Sequence, residues 1–406
     1  MKRIMPVLFS LFTGILNAQT FEIPAEEYPF YEIIEWKGQG AMLMNRDPSF
    51  NQKQVHLTYV AEAGTSSWQG VFNPFGEKLF YIAEDGGKYV YFLNNFEFKD
   101  GKIVFHQLNN AGYIKSQSLP ILAAIRKVGS FDVSDLILTD VVTTEKALVY
   151  LLSHTDKSTN KKTTIALTMT HNNLVVQAFI VSENITASAK IEDQISWYVA
   201  GEDAESIVFA ARVRSGKNSG WQVKRFTPKG EMKAELTVPA SGIAFAEHNR
   251  VGFGTRGSAW LKVTEPKEQG TLVFANGNYY VGGIEVSGTA ASLVSYLFKD
   301  KVWTKASSSP VKAYNAKKTA DVGFFPMKEG IGWYVGTNQG EGHFHSFTSE
   351  AGIVSGTISQ QTKNPSRLLT AGFTDKFVVA FPSKWLLFAP AQLPKTGAVT
   401  FEYVNR

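Results

Sequence analysis

One short pattern recurs along this chain. Two β-like runs are followed by a polar turn rich in Gly, Asp or Asn, and then by a third alternating run. The clearest copy lies in Trp221-Gln-Val-Lys-Arg-Phe-Thr-Pro-Lys-Gly-Glu-Met-Lys-Ala-Glu-Leu-Thr-Val-Pro239. Related turns occur at Asn110-Ala-Gly112, His171-Asn-Asn173, Lys299-Asp-Lys301 and Ser349-Glu-Ala-Gly352. Gly112 to Gly352 spans 240 residues in four intervals, about 60 each. A strand-rich repeat of that length constrains the fold strongly, because one small sheet cannot bury both of its faces unless neighbouring sheets stack on it.

The stretch Trp197–Pro239 displays a whole unit. Trp197–Ala200 reads as a first strand and Glu202-Asp-Ala-Glu205 as its turn. Ile207–Val213 is a long second strand, buried along part of its length, followed by the loop Ser215–Gly220. Gln222–Phe226 and Met232–Val238 then form a hairpin across Pro228-Lys-Gly230. Similar strand groups begin at Lys78, Ala147, Gly332 and Phe377. Helical periodicity is confined to Ser118–Lys127 and to Thr289–Leu297, where a buried strand fits equally well.

Four antiparallel strands per unit make one propeller blade, and the chain resembles the β-propeller repeat proteins over most of its length. The resemblance is one of pattern alone. The Gly-His and Trp-Asp signatures of WD repeats and a regular kelch double glycine do not occur. It implies an all-β propeller of six to seven four-stranded blades. The strand Val399–Val404 is expected to close the ring by completing a blade begun near Phe30–Glu35. A large β-sandwich or two β domains would give the same short strands.

The N-terminus reads as an export signal. Lys2 and Arg3 precede the apolar run Ile4–Leu16, and Leu16-Asn17-Ala18 fits a small-residue cleavage site. The expected organisation is a signal peptide over 1–18 and a single propeller over 19–406. The run falls short of the ~20 residues of a membrane-spanning helix. Loss of Lys2 and Arg3 takes the formal net charge from +5 to about +3. The basic residues are scattered, so no nucleic-acid footprint emerges. With no cysteine, thiol nucleophiles, Fe–S clusters and Cys-based zinc sites are excluded.

Candidate chemistry is sparse. In Gly340-Glu-Gly-His-Phe-His345, residues two apart on a strand share a face, so Glu341, His343 and His345 form a possible divalent-metal ligand set. A half-exposed strand after a glycine-rich turn explains the same residues. No cofactor beyond that metal is expected. The acidic doublets Glu26-Glu27, Glu84-Asp85, Glu192-Asp193 and Glu202-Asp203 are poor acid/base pairs, because adjacent strand residues face opposite ways, and they read as solvated turns. No G-x-S-x-G elbow, phosphate loop or H-E-x-x-H occurs. Trp68 and Trp221 stand beside the loop residues Thr65-Ser-Ser67 and Asn218-Ser-Gly220, which marks them as surface binding candidates. The expected role is therefore a non-catalytic interaction platform, periplasmic or extracellular, with an envelope or outer-membrane protein as partner. A polysaccharide-active enzyme or a glycan-binding propeller is the alternative.

Overall fold

The computed structural model describes the backbone of the strands between Gln19 and Asn405. Side chains are described chiefly within 101–185, 197–243 and 271–310. In chain order, β1 (Gln19–Pro24) precedes seven antiparallel groups among the described residues. Blade 1 is β2 (Tyr31–Trp36), β3 (Gly40–Asn45), β4 (Val55–Ala61) and β5 (Ser66–Phe72). Blade 2 is β6 (Tyr81–Asp85), β7 (Tyr89–Leu93), β8 (Lys102–Asn109) and β9 (Ile114–Pro120). Helix α1 (Leu122–Val128) leads to blade 3: β10 (Ile137–Thr143), β11 (Ala147–Asp156), β12 (Lys161–Thr170) and β13 (Val176–Ile185). Blade 4 is β14 (Trp197–Glu202), β15 (Ile207–Val213), β16 (Gly220–Phe226) and β17 (Met232–Pro239).

After β18 (His248–Val251), blade 5 takes β19 (Thr271–Ala275), β20 (Asn278–Ser287), β21 (Ala290–Lys299) and β22 (Val302–Pro310). Blade 6 takes β23 (Ala320–Met327), β24 (Gly330–Gly336), β25 (Glu341–Thr348) and β26 (Gly352–Ser359). Blade 7 is β27 (Val378–Ala380), β28 (Lys384–Phe388) and β29 (Ala398–Asn405), completed by β1 from the other end of the chain.

These groups form a ring. The first strands of successive blades lie beside one another, β2 with β6, β6 with β10, β14 with β19 and β19 with β23, and β27 returns to β2. Blades 3 and 4 share one apolar core. The architecture is a β-propeller, with seven blades among the described residues. The closing strand is β1, paired antiparallel with β29 through Phe21 opposite Phe401. The sequence pattern had assigned that place to Phe30–Glu35, but Tyr31–Trp36 instead opens blade 1. Both segments alternate, so only long-range pairing distinguishes them.

Two local expectations shift in the same way. Ser118–Pro120 ends the outer strand β9, and the helix begins only at Leu122. Proline is tolerated on an edge strand, where its missing donor faces no partner, and it separates the two elements. Thr289–Leu297 lies within strand β21 apart from its first residue.

Burial between blades holds the disc together. Phe179 of blade 3 packs against Phe209 and Phe226 of blade 4, with centroids 6.0 and 5.0 Å apart. Trp221 of blade 4 meets Trp303 of blade 5 edge-on at 6.1 Å. Polar ties reinforce the seams: Thr168 Oγ1 donates to the Pro228 carbonyl at 2.7 Å, and Trp303 Nε1 to the Pro239 carbonyl at 2.6 Å. Blades 4 and 5 also approach by backbone. Gly201, at φ +153°, pairs with Phe274, whose carbonyl would lie 2.0 Å from any Cβ placed there. That position therefore requires glycine.

Candidate interaction face

The first and third strands of a four-stranded meander run the same way. The turns that follow them therefore emerge on one face of the ring. The third-to-fourth turns of blades 2, 3 and 4 share a built-in lock. In each, the residue opening the turn donates its backbone N–H to the carbonyl of the closing residue: Asn109 to Tyr113 at 3.1 Å, Thr170 to Val175 at 3.1 Å and Thr227 to Glu231 at 2.9 Å. The opening side chain accepts the closing N–H in return. Asn109 Oδ1 takes it from Tyr113 at 3.0 Å, Thr170 Oγ1 from Val175 at 3.2 Å and Thr227 Oγ1 from Glu231 at 3.2 Å. Asn and Thr serve here because a short side-chain acceptor reaches its own turn. Blade 5 closes in two residues, Asp300 and Lys301, both at positive φ, between the paired Lys299 and Val302.

The closing ends of these turns carry exposed apolar side chains. Tyr113 is 75% exposed, Val175 42% and Val302 59%, and each closes its turn. Met232, 55% exposed, is one residue past the closing Glu231. Of the six large hydrophobic residues exposed among the described residues, four stand on these turns. Exposed lysines accompany them: Lys115, Lys229, Lys233, Lys299 and Lys301. Lys233 pairs with Glu231 at 2.9 Å. The blade 4 turn is pinned to its neighbour, since Gly230 at φ +89° lies where a Cβ would meet Phe179 at 2.7 Å.

The first-to-second turns on the same face hold a charged lock between blades. Asp203 Oδ1 accepts the N–H groups of Glu205 (2.9 Å) and Ser206 (2.8 Å) and the Ser206 hydroxyl (3.0 Å). Its other oxygen receives Arg225 Nη2, and Arg225 Nε donates to Ser206 Oγ at 3.2 Å. Lys146 of blade 3 reaches across to the Asp203 carbonyl at 2.6 Å and to Glu202 at 3.9 Å. The Arg225 guanidinium lies 5.5 Å from the Phe274 ring centroid in blade 5. The Asp203 carboxylate thus ties the turn to Arg225 within blade 4, while Lys146 on the Asp203 main-chain carbonyl and Arg225 beside Phe274 reach the two neighbouring blades. With its acceptor sites occupied, the carboxylate acts as an anchor and not as a base.

A second polar group lies on blade 5. Glu285 accepts the Tyr296 hydroxyl and pairs with Lys305 at 2.5 Å. Burial pushes the Glu285 carboxyl up, but the hydrogen bonds from Lys305 and Tyr296 outweigh it and hold the group below its usual range. Burial and the Glu285 hydrogen bond raise the Tyr296 phenol. The hydrogen bond to Glu285 raises Lys305. All three are fixed in their ordinary charge states, as suits an ion-pair network.

The structure separates the residues singled out from the sequence. Trp221 is not a surface residue: it is 1% exposed, inside strand β16 and the core between blades 4 and 5. The loop Asn218-Ser-Gly220 simply precedes it, and strand alternation turns the indole inward against Trp303. Trp68 lies within strand β5 opposite Tyr59, and not in a loop; its side chain is outside the described residues. Glu341, His343 and His345 occupy alternate positions of β25, with His343 between Val335 and Thr357 and His345 between Trp333 and Ser355. Their side chains likewise lie outside the described residues. The apolar turn residues were missed. Their signal was present, a large apolar residue directly after each polar turn, but it reads equally well as the start of a strand.

No protein-family model and no curated protein matches this chain. Solved structures show only distant similarity. A subtype N11 neuraminidase-like protein (A/flat-faced bat/Peru) is 10% identical, covering 83% of this chain and 86% of its own, with a TM-score of 0.38. A protein assigned as a 6-phosphogluconolactonase from Bacteroides fragilis is 12% identical, covering 80% and 83%, with a TM-score of 0.39. The acylaminoacyl peptidase of Pyrococcus horikoshii is 10% identical, covering 82% of this chain and 54% of its own, with a TM-score of 0.34. At these values the assignment as a propeller rests on the strand pairing and on the ring of first strands.

Proposed function

We propose that this propeller is an exported, non-catalytic interaction platform of the cell envelope. The observation that carries the reading is the division of labour within blades 2 to 5. Charged groups inside and between blades are spent on locking the disc, while stiff turns on one face hold large apolar residues in water. An exposed apolar set on a rigid frame favours association, because its burial stabilises a complex without a cost for ordering the frame. The N-terminal sequence Met1–Ala18 supports export. No helix among the described residues is long and apolar enough to cross a membrane. The partner class is an envelope component, an outer-membrane or periplasmic protein.

The test is affinity purification of the tagged, full-length protein from gently solubilised envelopes, with mass spectrometry of what accompanies it. A stoichiometric envelope protein is the expected result. Recovery of the protein alone at native abundance contradicts the reading.

A further inference from the structure

We infer that the turn face of blades 2 to 5 is a docking surface for an anionic lipid bilayer. The inference rests on the platform reading and names what one face of the platform meets. Tyr113, Val175, Met232 and Val302 project from corresponding turns of four consecutive blades, so they share one face of the disc. The other two exposed hydrophobics lie at the opposite ends of their strands, Ile137 at the start of a first strand and Val286 near the end of a second.

Spacing and charge select the occupant. Each apolar tip sits on the outer part of its own blade, about three strand spacings, or ~14 Å, from the first strand. Stacked sheets lie about 10 Å apart, so the tips are separate points and not one continuous patch. A protein partner needs a contiguous, complementary core of interface. A fluid bilayer has no such requirement. It accepts any coplanar set of apolar side chains, each entering the interface independently. Lysines flank the tips, as a negative headgroup layer demands. Lys115, Lys229, Lys299 and Lys301 are exposed and make no ion pair among the described residues; against them stand the exposed acids Asp300, Glu205 of the first-to-second turn of blade 4, and Glu231, which is paired with Lys233. Met232 and Lys229 flank a turn clamped on Phe179, so insertion orders little that is not already fixed.

The experiment is vesicle co-sedimentation of the full chain. Phosphatidylcholine vesicles containing phosphatidylglycerol are compared with phosphatidylcholine alone. The expected result is binding to the anionic vesicles, reduced about ten-fold by Met232→Ser combined with Val302→Ser. Lys229→Ser with Lys299→Ser and Lys301→Ser is expected to abolish the preference for anionic vesicles. All five positions are exposed, so matching unfolding midpoints serve as the control for folding. Absence of binding to either vesicle overturns the inference. Binding that ignores the Met232 and Val302 substitutions also overturns it, because charge alone would then account for adsorption. If vesicles are ignored while an envelope protein is captured through these turns, the face belongs to a protein and only the platform reading survives. If vesicles bind through the turns but no protein is ever captured, the inference stands and the protein-partner reading falls.

Discussion

Trp221 and Met232 lie in adjacent strands of the same blade, yet one is 1% exposed and the other 55%. The first belongs to the seam between blades 4 and 5, where it packs in the shared apolar core and Trp303 donates to the Pro239 carbonyl. The second stands at a turn whose backbone is locked but whose side chain stays more than half exposed. Seam and turn are built from similar residue types. What separates them is position relative to the adjacent blade. A large apolar residue contributes to stability in the seam and is available for association at the turn.

That contrast is most easily broken in the seam. Trp221→Ala should cost about 3–5 kcal/mol in chemical denaturation, since it empties a site that the ring structure cannot collapse to fill. Next comes Gly201→Ala, expected to cost about 2–3 kcal/mol, because the new Cβ collides with the Phe274 carbonyl at the backbone joint between blades. Arg225→Ala should cost about 1–2 kcal/mol; Asp203 keeps its turn donors, and the pair is partly solvent-screened.

The Glu285 network gives a smaller, pH-dependent effect. Its carboxyl is held below the usual range in the folded chain, so the network stabilises above the unfolded-state value. The contribution fades as pH falls through the lowered folded value. Glu285→Gln should therefore lower stability slightly at neutral pH and flatten the loss of stability on the acid side; equal acid slopes in both proteins would contradict this. At the bottom of the scale, Met232→Ser should change stability by less than about 0.5 kcal/mol, while diminishing association. A large destabilisation at Met232 would erase the distinction between seam and turn.

Much of this fold is legible in the sequence. The polar turns at Asn110–Gly112, His171–Asn173, Pro228–Gly230 and Lys299–Lys301 all connect third and fourth strands, so their period is the blade period. The unit Trp197–Pro239 matches blade 4 almost strand for strand. Ring closure was misplaced, because Gln19–Pro24 and Tyr31–Trp36 carry the same alternation and only the partner strand decides between them. The candidate site was less legible. A tryptophan beside a Gly-Ser loop suggested exposure at Trp221, but the blade 5 side of its seam is formed by residues about 50 or more positions away, Leu272, Phe274 and Trp303 among them. Met232 reads as an ordinary strand residue, because nothing local distinguishes an exposed first residue of β17 from a buried one.

The most direct test of the account is hydrogen–deuterium exchange of the full-length protein, alone and on native envelope membranes. The predicted result is added protection in the turns at 109–115, 170–176, 227–233 and 299–302, with the seams unchanged. Protection confined to other parts of the ring, or none at all on membranes, would contradict the claim that this face is where the platform works.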